Sequence, residues 1–177
     1  MASPEFILSV DTGKHFAAAL ISHDHGNSPR LEDMYYQHKT CFMPDDVREL
    51  ANELGDLLVR HRVHPDDLTL VVELPSHRYF GRSNSSALLK LMWQGLRLIL
   101  LFRDKGIDVV PMPADEHNQQ RGDDETRRIF DHAFDTDGVP HYEEKHGGRS
   151  NAHERDAGAL GLFAAKRIRM GLPISPA

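Results

Sequence analysis

Two carboxylates in this sequence follow apolar runs that have the composition of β-strands. Asp11 comes directly after FILSV at residues 6–10, and Glu73 comes directly after LTLVV at residues 68–72. A charged group at the margin of a hydrophobic sheet needs a partner that offsets its lost hydration. If the two runs are neighbouring parallel strands, both acids lie at one end of the sheet, where their mutual repulsion favours a bound divalent cation.

A histidine and a third acid lie near the C-terminal end of the sequence. His153 and Asp156 are three residues apart in a segment with helical character, so they share one face of that helix. A helix packed across the sheet end adds both side chains to Asp11 and Glu73. Carboxylate oxygens suit Mg²⁺ or Mn²⁺, and two such ions can drive in-line hydrolysis of a phosphodiester. We therefore interpret these four residues as candidate metal ligands and catalytic residues.

Each of these residues also has an ordinary structural explanation. Asp11 in an Asp-Thr-Gly sequence is typical of a turn, and His153 and Asp156 are typical of the exposed first turn of a helix. Their joint placement at two strand ends and one helix start favours the metal site over these separate explanations.

Hydrophobic periodicity predicts the elements that must position the four residues. Apolar runs at residues 6–10 and 16–21 predict a β-hairpin, residues 34–40 a third strand, and residues 44–61 an amphipathic helix. A buried strand at 68–72, a long helix through 88–102 capped by Asn84 or Ser85, and a strand at 107–110 follow. A shorter helix begins at Asp123 or Asp124, and residues 135–150 form a candidate mobile loop.

The last predicted helix begins at Ala152, after Asn151 as its cap, and ends near Met170. Its small residues allow close approach to the sheet; they are Ala157, Gly158, Ala159 and Gly161. The order of elements predicts a single α/β domain over residues 1–177.

Composition narrows the class of protein. The chain has 177 residues, of which 40% are hydrophobic and 27% charged, which is enough for one core. One cysteine, Cys41, excludes an internal disulfide and fits a reducing, cytosolic compartment. The apolar run at residues 96–102 is too short to span a bilayer. A net charge of -6 argues against nucleic-acid binding over the whole surface but leaves room for a local basic face.

Three short motifs resemble the RuvC family of Holliday junction resolvases. FILSVDTG at residues 6–13 is similar to the family's first strand with its aspartate, and VVELP at 71–75 to its central strand with the glutamate. HERDAGAL at 153–160 is similar to its C-terminal helix. The resemblance implies a ribonuclease-H-like fold, in which a mixed five-stranded sheet, antiparallel and then parallel, is flanked by helices. It also implies a homodimer that cuts four-way DNA junctions with two Mg²⁺ or Mn²⁺ ions per active site.

The resemblance extends to residues that contact DNA. FGRSN at 80–84 and LKL at 89–91 resemble the segment in which a phenylalanine, a basic residue and an asparagine precede the long helix. A wedge role at the junction centre therefore falls on Tyr79 or Phe80, and the same segment adds further candidates for DNA contact, namely Arg82, Asn84 and Lys90. Lys14, beside the first acid, is another candidate. An aromatic that pins a loop to the core explains Tyr79 or Phe80 equally well.

The resemblance is weakest between residues 113 and 150. The family has lysines there that meet the scissile phosphate, whereas this chain has QQRGDD at residues 119–124. Arg121, Arg127 and Arg128 are the candidates for these phosphate contacts, although basic residues beside acids on a helix usually form a solvated face. The departures favour a divergent member, such as one encoded by a prokaryote or a phage.

Other functions are compatible with the same motifs. A ribonuclease-H-like nuclease can act on flaps, other branched DNA or RNA–DNA hybrids instead of four-way junctions. Asp-Thr-Gly after a first strand also occurs in actin-like ATPases, but that fold repeats the signature in a second half, for which this chain is too short. A non-catalytic DNA-binding module of the same fold would be expected to lose an acid, and all three acids are present.

Overall fold

A five-stranded mixed sheet forms the centre of the computed structural model, which describes residues 6–13, 15–23, 28–37, 43–76, 85–114, 123–134 and 152–174. Its strands lie in the order β3-β2-β1-β4-β5. The pairs β1–β2 and β2–β3 are antiparallel, whereas β1–β4 and β4–β5 are parallel. The strands are β1 (Phe6–Asp11), β2 (Phe16–Ser22), β3 (Arg30–Gln37), β4 (Leu68–Leu74) and β5 (Asp108–Pro113). The predicted mixed sheet is confirmed.

Helices cover both faces of the sheet. They are α1 (Pro44–Arg60), α2 (Ser85–Arg103), α3 (Asp123–Ala133) and α4 (Ala152–Arg169), and a short 3₁₀ turn spans Pro65–Asp67. Leu8, Val10 and Val72 of the sheet share one core with residues of α1 and α2. Ile7 and Val71 point to the opposite face and share a core with residues of α4. No helix in the described part of the chain is long and apolar enough to cross a membrane.

Helix α4 packs closely on β1 and β2 because its sheet-facing residues are small. The Oγ of Ser9, buried in β1, donates a hydrogen bond of 2.7 Å to the carbonyl of Ala157. One turn further along, a Cβ on Gly161 would lie 2.4 Å from Cδ1 of Ile21 and 2.6 Å from Oγ of Ser9. Glycine therefore sets the spacing between helix and sheet at this point, as the small residues of the sequence predict.

Strand β3 begins at Arg30, earlier than the predicted start at residue 34. Asp33, which precedes the predicted start, has its side chain buried within the strand. One Asp33 carboxylate oxygen lies 2.9 Å from Nε2 of His61 and 3.6 Å from Nη2 of Arg60, at the end of α1. These two groups offset the burial of the acid. Residues 38–40 of the predicted strand lie outside the described residues.

Strand β5 runs to Pro113, beyond the predicted end at residue 110. Pro111 and Pro113 pair with Val72 and Leu74 of β4, the single neighbour that β5 has among the described strands. Proline lacks the N–H that a central strand donates to a second neighbour, and an edge strand tolerates that loss. The strand predicted at residues 107–110 stopped before these prolines, and the edge position that tolerates them is not visible in the sequence.

Alanine substitutions at two helical glycines are expected to have opposite effects on stability. Gly161→Ala forces Ile21 and Ser9 to move and should lower the free energy of unfolding by about 1–3 kcal/mol. Gly55→Ala lies in α1 with only Nζ of Lys105 near its new Cβ, at 3.9 Å, and should raise that free energy by roughly 0.5–1 kcal/mol. Urea denaturation followed by circular dichroism measures both. Equal stability of Gly161→Ala and the wild type would contradict the close packing.

Candidate metal centre

Asp11 is the last residue of β1 and lies at one end of the sheet, where both of its carboxylate oxygens have polar partners. It is buried, its Oδ1 accepts a hydrogen bond of 2.8 Å from the backbone N–H of Gly13, and its Oδ2 lies 2.9 Å from Nδ1 of His153. The turn that follows β1 thus fixes the rotation of the carboxyl group. A pre-oriented, poorly hydrated carboxylate of this kind is a good ligand for a hard cation.

The first turns of α4 bring two further side chains to Asp11. His153 and Asp156 lie three residues apart on the helix, and each offers one ligand atom to a group that also contains Asp11. The three ligand atoms all lie within 4.8 Å of one another. The structure therefore brings together three of the four residues that the sequence proposed, although 142 positions separate Asp11 from His153.

Glu73 lies at the same end of the sheet but outside that group of three. The β1–β4 ladder pairs Val10 with Val72, so the residues that follow them, Asp11 and Glu73, lie side by side at this end of the sheet, where each still pairs with its other neighbouring strand. Glu73 is half-buried, and its Oε2 is shielded from solvent. Its negative charge also contributes to raising the pKa of His153. Glu73 therefore belongs to the same electrostatic environment as the other three residues.

The negative charge of the cluster affects His153, whose pKa is raised above its ordinary value of 6.5. The largest cause is the hydrogen bond to Asp11; burial acts in the opposite direction, and the charges of Asp11, Asp156 and Glu73 raise the pKa further. A proton on the imidazole thus neutralises part of a site that has three carboxylates. A divalent cation satisfies the same excess of negative charge.

The donor set itself fits a divalent metal. Two carboxylates and an imidazole lie close enough for one ion to contact all three, and a third carboxylate is adjacent. Oxygen ligands with one histidine suit Mg²⁺ and Mn²⁺.

Several neighbours of the cluster were missed in the sequence. The ring of His15 meets the ring of His153 edge-on at 5.3 Å and lies 6.1 Å from the ring of Tyr36. Burial, followed by the charge of the buried Glu154, raises the pKa of Tyr36. Thr12 contacts the backbone at Glu73. None of these residues ends an apolar run or matches a known spacing, so the sequence offered no signal for them beyond their nearness to Asp11 and His153.

Most predicted DNA contacts lie outside the described residues, namely Lys14, Tyr79, Phe80, Arg82, Asn84 and Arg121. The proposed cap Asn151 and the loop at 135–150 lie there too. Arg127 is part of α3, but its side chain is not described, whereas Arg128 on the same helix is exposed. Lys90 is exposed on α2, where Ser86, Leu89 and Trp93 line an open groove of about 420 Å³ with it.

Comparison with known proteins gives matches only at the level of structure. The sequence matches no family model and no curated protein. The fold matches T. thermophilus RuvC in complex with Holliday junction substrate, with a TM-score of 0.67, 18% identity, and coverage of 94% of this chain and 96% of that chain. The chain has the RuvC fold.

Two further matches support the same fold. A second Thermus thermophilus RuvC structure has a TM-score of 0.66 at 18% identity, over 94% of this chain and 96% of that chain. The yeast mitochondrial Holliday junction resolvase Ydc2 has a TM-score of 0.60 at 12% identity, over 94% of this chain and 81% of that chain. The ribonuclease-H-like architecture that the three motifs implied is therefore confirmed, and at these identities the likeness is one of fold.

Replacement of Asp11 should lower the pKa of His153 in the metal-free protein. Asp11→Asn removes the largest cause of the raised value and one of the three charges, so the imidazole titrates closer to its ordinary range. ¹H–¹⁵N NMR titration of the histidine rings measures this change, with His153→Gln used to assign the resonance and exposed His132 as the internal control. An unchanged His153 titration in Asp11→Asn would contradict the pairing.

The raised pKa of His153 determines how the Asp11–His153 pair changes the stability of the fold with pH. The pKa of His153 is higher in the folded chain than in the unfolded chain, so the pair stabilises the metal-free fold fully below about pH 6.5. That contribution is lost as the pH rises through the raised pKa of His153.

Proposed function

We propose that this chain is a metal-dependent endonuclease that cleaves DNA at four-way junctions. The observation that carries the proposal is the convergence of Asp11, His153 and Asp156 at the sheet end of a RuvC fold, with Glu73 beside them. One of the matching structures is described as a complex with a Holliday junction substrate, and another as a Holliday junction resolvase. Those descriptions support the choice of junction DNA over other phosphodiesters.

Some residues of the site would bind the metal ions, and others would orient the metal ligands. Asp11, His153 and Asp156 would hold a divalent ion, Mg²⁺ or Mn²⁺, and Glu73 beside them would help to hold a second. Such ions supply positive charge that activates water and offsets the charge developing on the phosphate. As a ligand, the His153 imidazole would have to be deprotonated, so ion binding would be weaker at acidic pH. The Gly13 N–H keeps Asp11 in one orientation throughout.

Contacts to the DNA backbone would come from exposed basic residues. Lys90 on α2 and Arg128 on α3 are exposed, and we propose both as phosphate contacts. The net charge of -6 makes such a local basic face necessary, because the rest of the surface repels DNA. We retain the sequence-based candidates as part of the proposed DNA surface, which are Lys14, Tyr79, Phe80, Arg82, Asn84, Arg121 and Arg127.

A homodimer follows from the geometry of junction resolution and from an exposed stripe on α2. Resolution requires one cut in each of two strands, which a two-fold pair of identical sites provides. Leu89, Trp93, Leu96 and Leu100 are between 37% and 60% exposed. Their spacing of four, three and four residues places them on a single helix face, as in helices that pack against a partner helix. We propose this α2 stripe as the dimer interface.

The nuclease proposal predicts metal-dependent cleavage that needs the two aspartates. The purified chain, incubated with labelled four-way junctions, flaps, duplexes and RNA–DNA hybrids, should cut junctions in Mg²⁺ or Mn²⁺ and not in EDTA. Asp11→Asn and Asp156→Asn should reduce the rate at least about 100-fold because each removes a charged metal ligand. Asp56→Asn makes the same change at an exposed position of α1 and should leave the rate unaltered.

The substrate panel separates the alternatives. Cleavage of flaps or hybrids in preference to junctions would move the proposal to another ribonuclease-H-like nuclease. The metal centre would be overturned if the wild type cleaved none of the substrates. It would also be overturned if Asp11→Asn and Asp156→Asn cleaved as fast as the wild type.

A charge on the α2 stripe should produce monomers and uncouple the two cuts. Leu96→Asp places a carboxylate in the proposed interface, where it is costly to bury. Analytical ultracentrifugation should show a dimer for the wild type and a monomer for the variant, and a cruciform plasmid should accumulate the singly nicked form. Val59→Asp, at an exposed apolar residue of α1, is the matched control and should remain dimeric. A monomeric wild type would refute the interface.

A further inference from the structure

The backbone ladder between β1 and β4 stops just before the two acids of the site. Its last pair joins Val10 with Val72, so the ladder does not itself extend to Asp11 and Glu73. One residue beyond Asp11, the Oγ1 of Thr12 donates a hydrogen bond of 2.7 Å to the backbone carbonyl of Glu73. This side-chain bond connects β1 and β4 beside the two acids, where the backbone ladder between these strands has ended.

Thr12 forms this link on the face of the sheet opposite the metal centre. Side chains alternate along β1, so Ile7 and Ser9 meet α4, whereas Leu8 and Val10 belong to the core beneath α1 and α2. Thr12 continues the second set and lies against α2. It therefore cannot contact an ion held by Asp11, His153 and Asp156, and any influence on that ion must act through the backbone.

Helix α2 shields the link from water because it carries a glycine at the contact. A Cβ on Gly95 would lie 3.6 Å from Cγ2 of Thr12, 3.7 Å from the Glu73 carbonyl oxygen and 2.4 Å from Cδ2 of Leu74. Thr12 is only 2% exposed as a result. A hydrogen bond in such a dry environment is stronger and better defined than one at the surface.

We propose that Thr12 is a positioning residue of the metal centre, whose hydroxyl ties β1 to β4 and sets the separation of the Asp11 and Glu73 carboxylates. The proposal rests on the proposed function, since it concerns the same centre. Metal ligands must be held to within about 0.5 Å of their working geometry. Fixing the Glu73 carbonyl relative to Thr12 restricts the backbone on both sides of the two acids and therefore the origin of both side chains.

The hydroxyl and the methyl group of Thr12 can be tested separately. Thr12→Val keeps the shape that packs on Gly95 but cannot donate to the Glu73 carbonyl. Thr12→Ser keeps the donor and loses the methyl group. Thr69 provides a matched control because it is also a buried threonine, 3% exposed, and lies near the opposite end of β4. Thr69→Val removes a hydroxyl from the same sheet without touching the site.

The experiment measures Mn²⁺ alone binding to the full chain by calorimetry, and junction cleavage at saturating Mn²⁺. Thr12→Val should bind Mn²⁺ about 10-fold or more weakly, in the range seen when groups that orient ligands are removed. Thr12→Ser should restore the wild-type affinity, and Thr69→Val should keep it whatever happens to its melting temperature. If Thr12→Val fails to fold, Thr12→Ala replaces it, because it also lacks the hydroxyl and adds no bulk.

Each contrary result has a separate meaning. Wild-type affinity and cleavage in Thr12→Val would overturn the positioning role and leave the nuclease proposal standing. If Mn²⁺ affinity fell equally in Thr12→Val and Thr69→Val, or equally in Thr12→Val and Thr12→Ser, packing and not the hydroxyl would be responsible. Either result would also overturn the positioning role. A wild type that neither binds Mn²⁺ nor cleaves DNA would refute the proposed function and the role of Thr12 together.

Discussion

Parallel pairing of β1 with β4 is the constraint on which the site depends. Because the two strands run in the same direction and in register from Phe6 opposite Leu68, Asp11 and Glu73 lie side by side at one end of the sheet. Two carboxylates are thereby forced together at the margin of an apolar sheet, where water cannot fully solvate them. The sheet brings the two carboxylates close together, so their combined negative charge must be neutralised by groups from other elements or by a bound cation.

His153 on α4 provides part of that neutralisation, and the packing of α4 explains how a segment so distant in sequence is placed accurately. Ser9 bonds to the carbonyl of Ala157, and Gly161 allows the helix to lie directly on β1 and β2. His153 and Asp156 lie one to two turns before Gly161, and Asp156 is adjacent to Ala157, so the docking that fills the core also positions both side chains relative to Asp11. Packing and site geometry are therefore not independent, and a change in helix-to-sheet spacing moves the ligands.

The parts of the structure that the sequence could predict are those governed by hydrophobic periodicity and by strand ends. Asp11 and Glu73 follow obvious strands, and the spacing of His153 and Asp156 defines one helical face, so their convergence needed only the correct sheet order. The sequence did not predict features that depend on contacts with residues distant in the chain. Asp33 lies within β3 because His61 and Arg60 offset its charge, and Thr12 matters because a carbonyl 61 residues away lies within reach of its hydroxyl. Neither partner is visible from local sequence.

Helix α2 lies between the proposed interface and the Thr12 link behind the metal centre, because one of its faces meets each of them. Gly95 faces inward and closes over Thr12 and the Glu73 carbonyl, while Leu96, the next residue, is exposed in the α2 stripe. A turn of about 100° per residue in an α-helix separates these environments. A second copy bound to the α2 stripe would therefore press on the same helix that holds the strand ends together from behind. In that arrangement, sequence change in α2 is restricted from both sides, by the space available at Gly95 and by the apolar surface that a partner would cover.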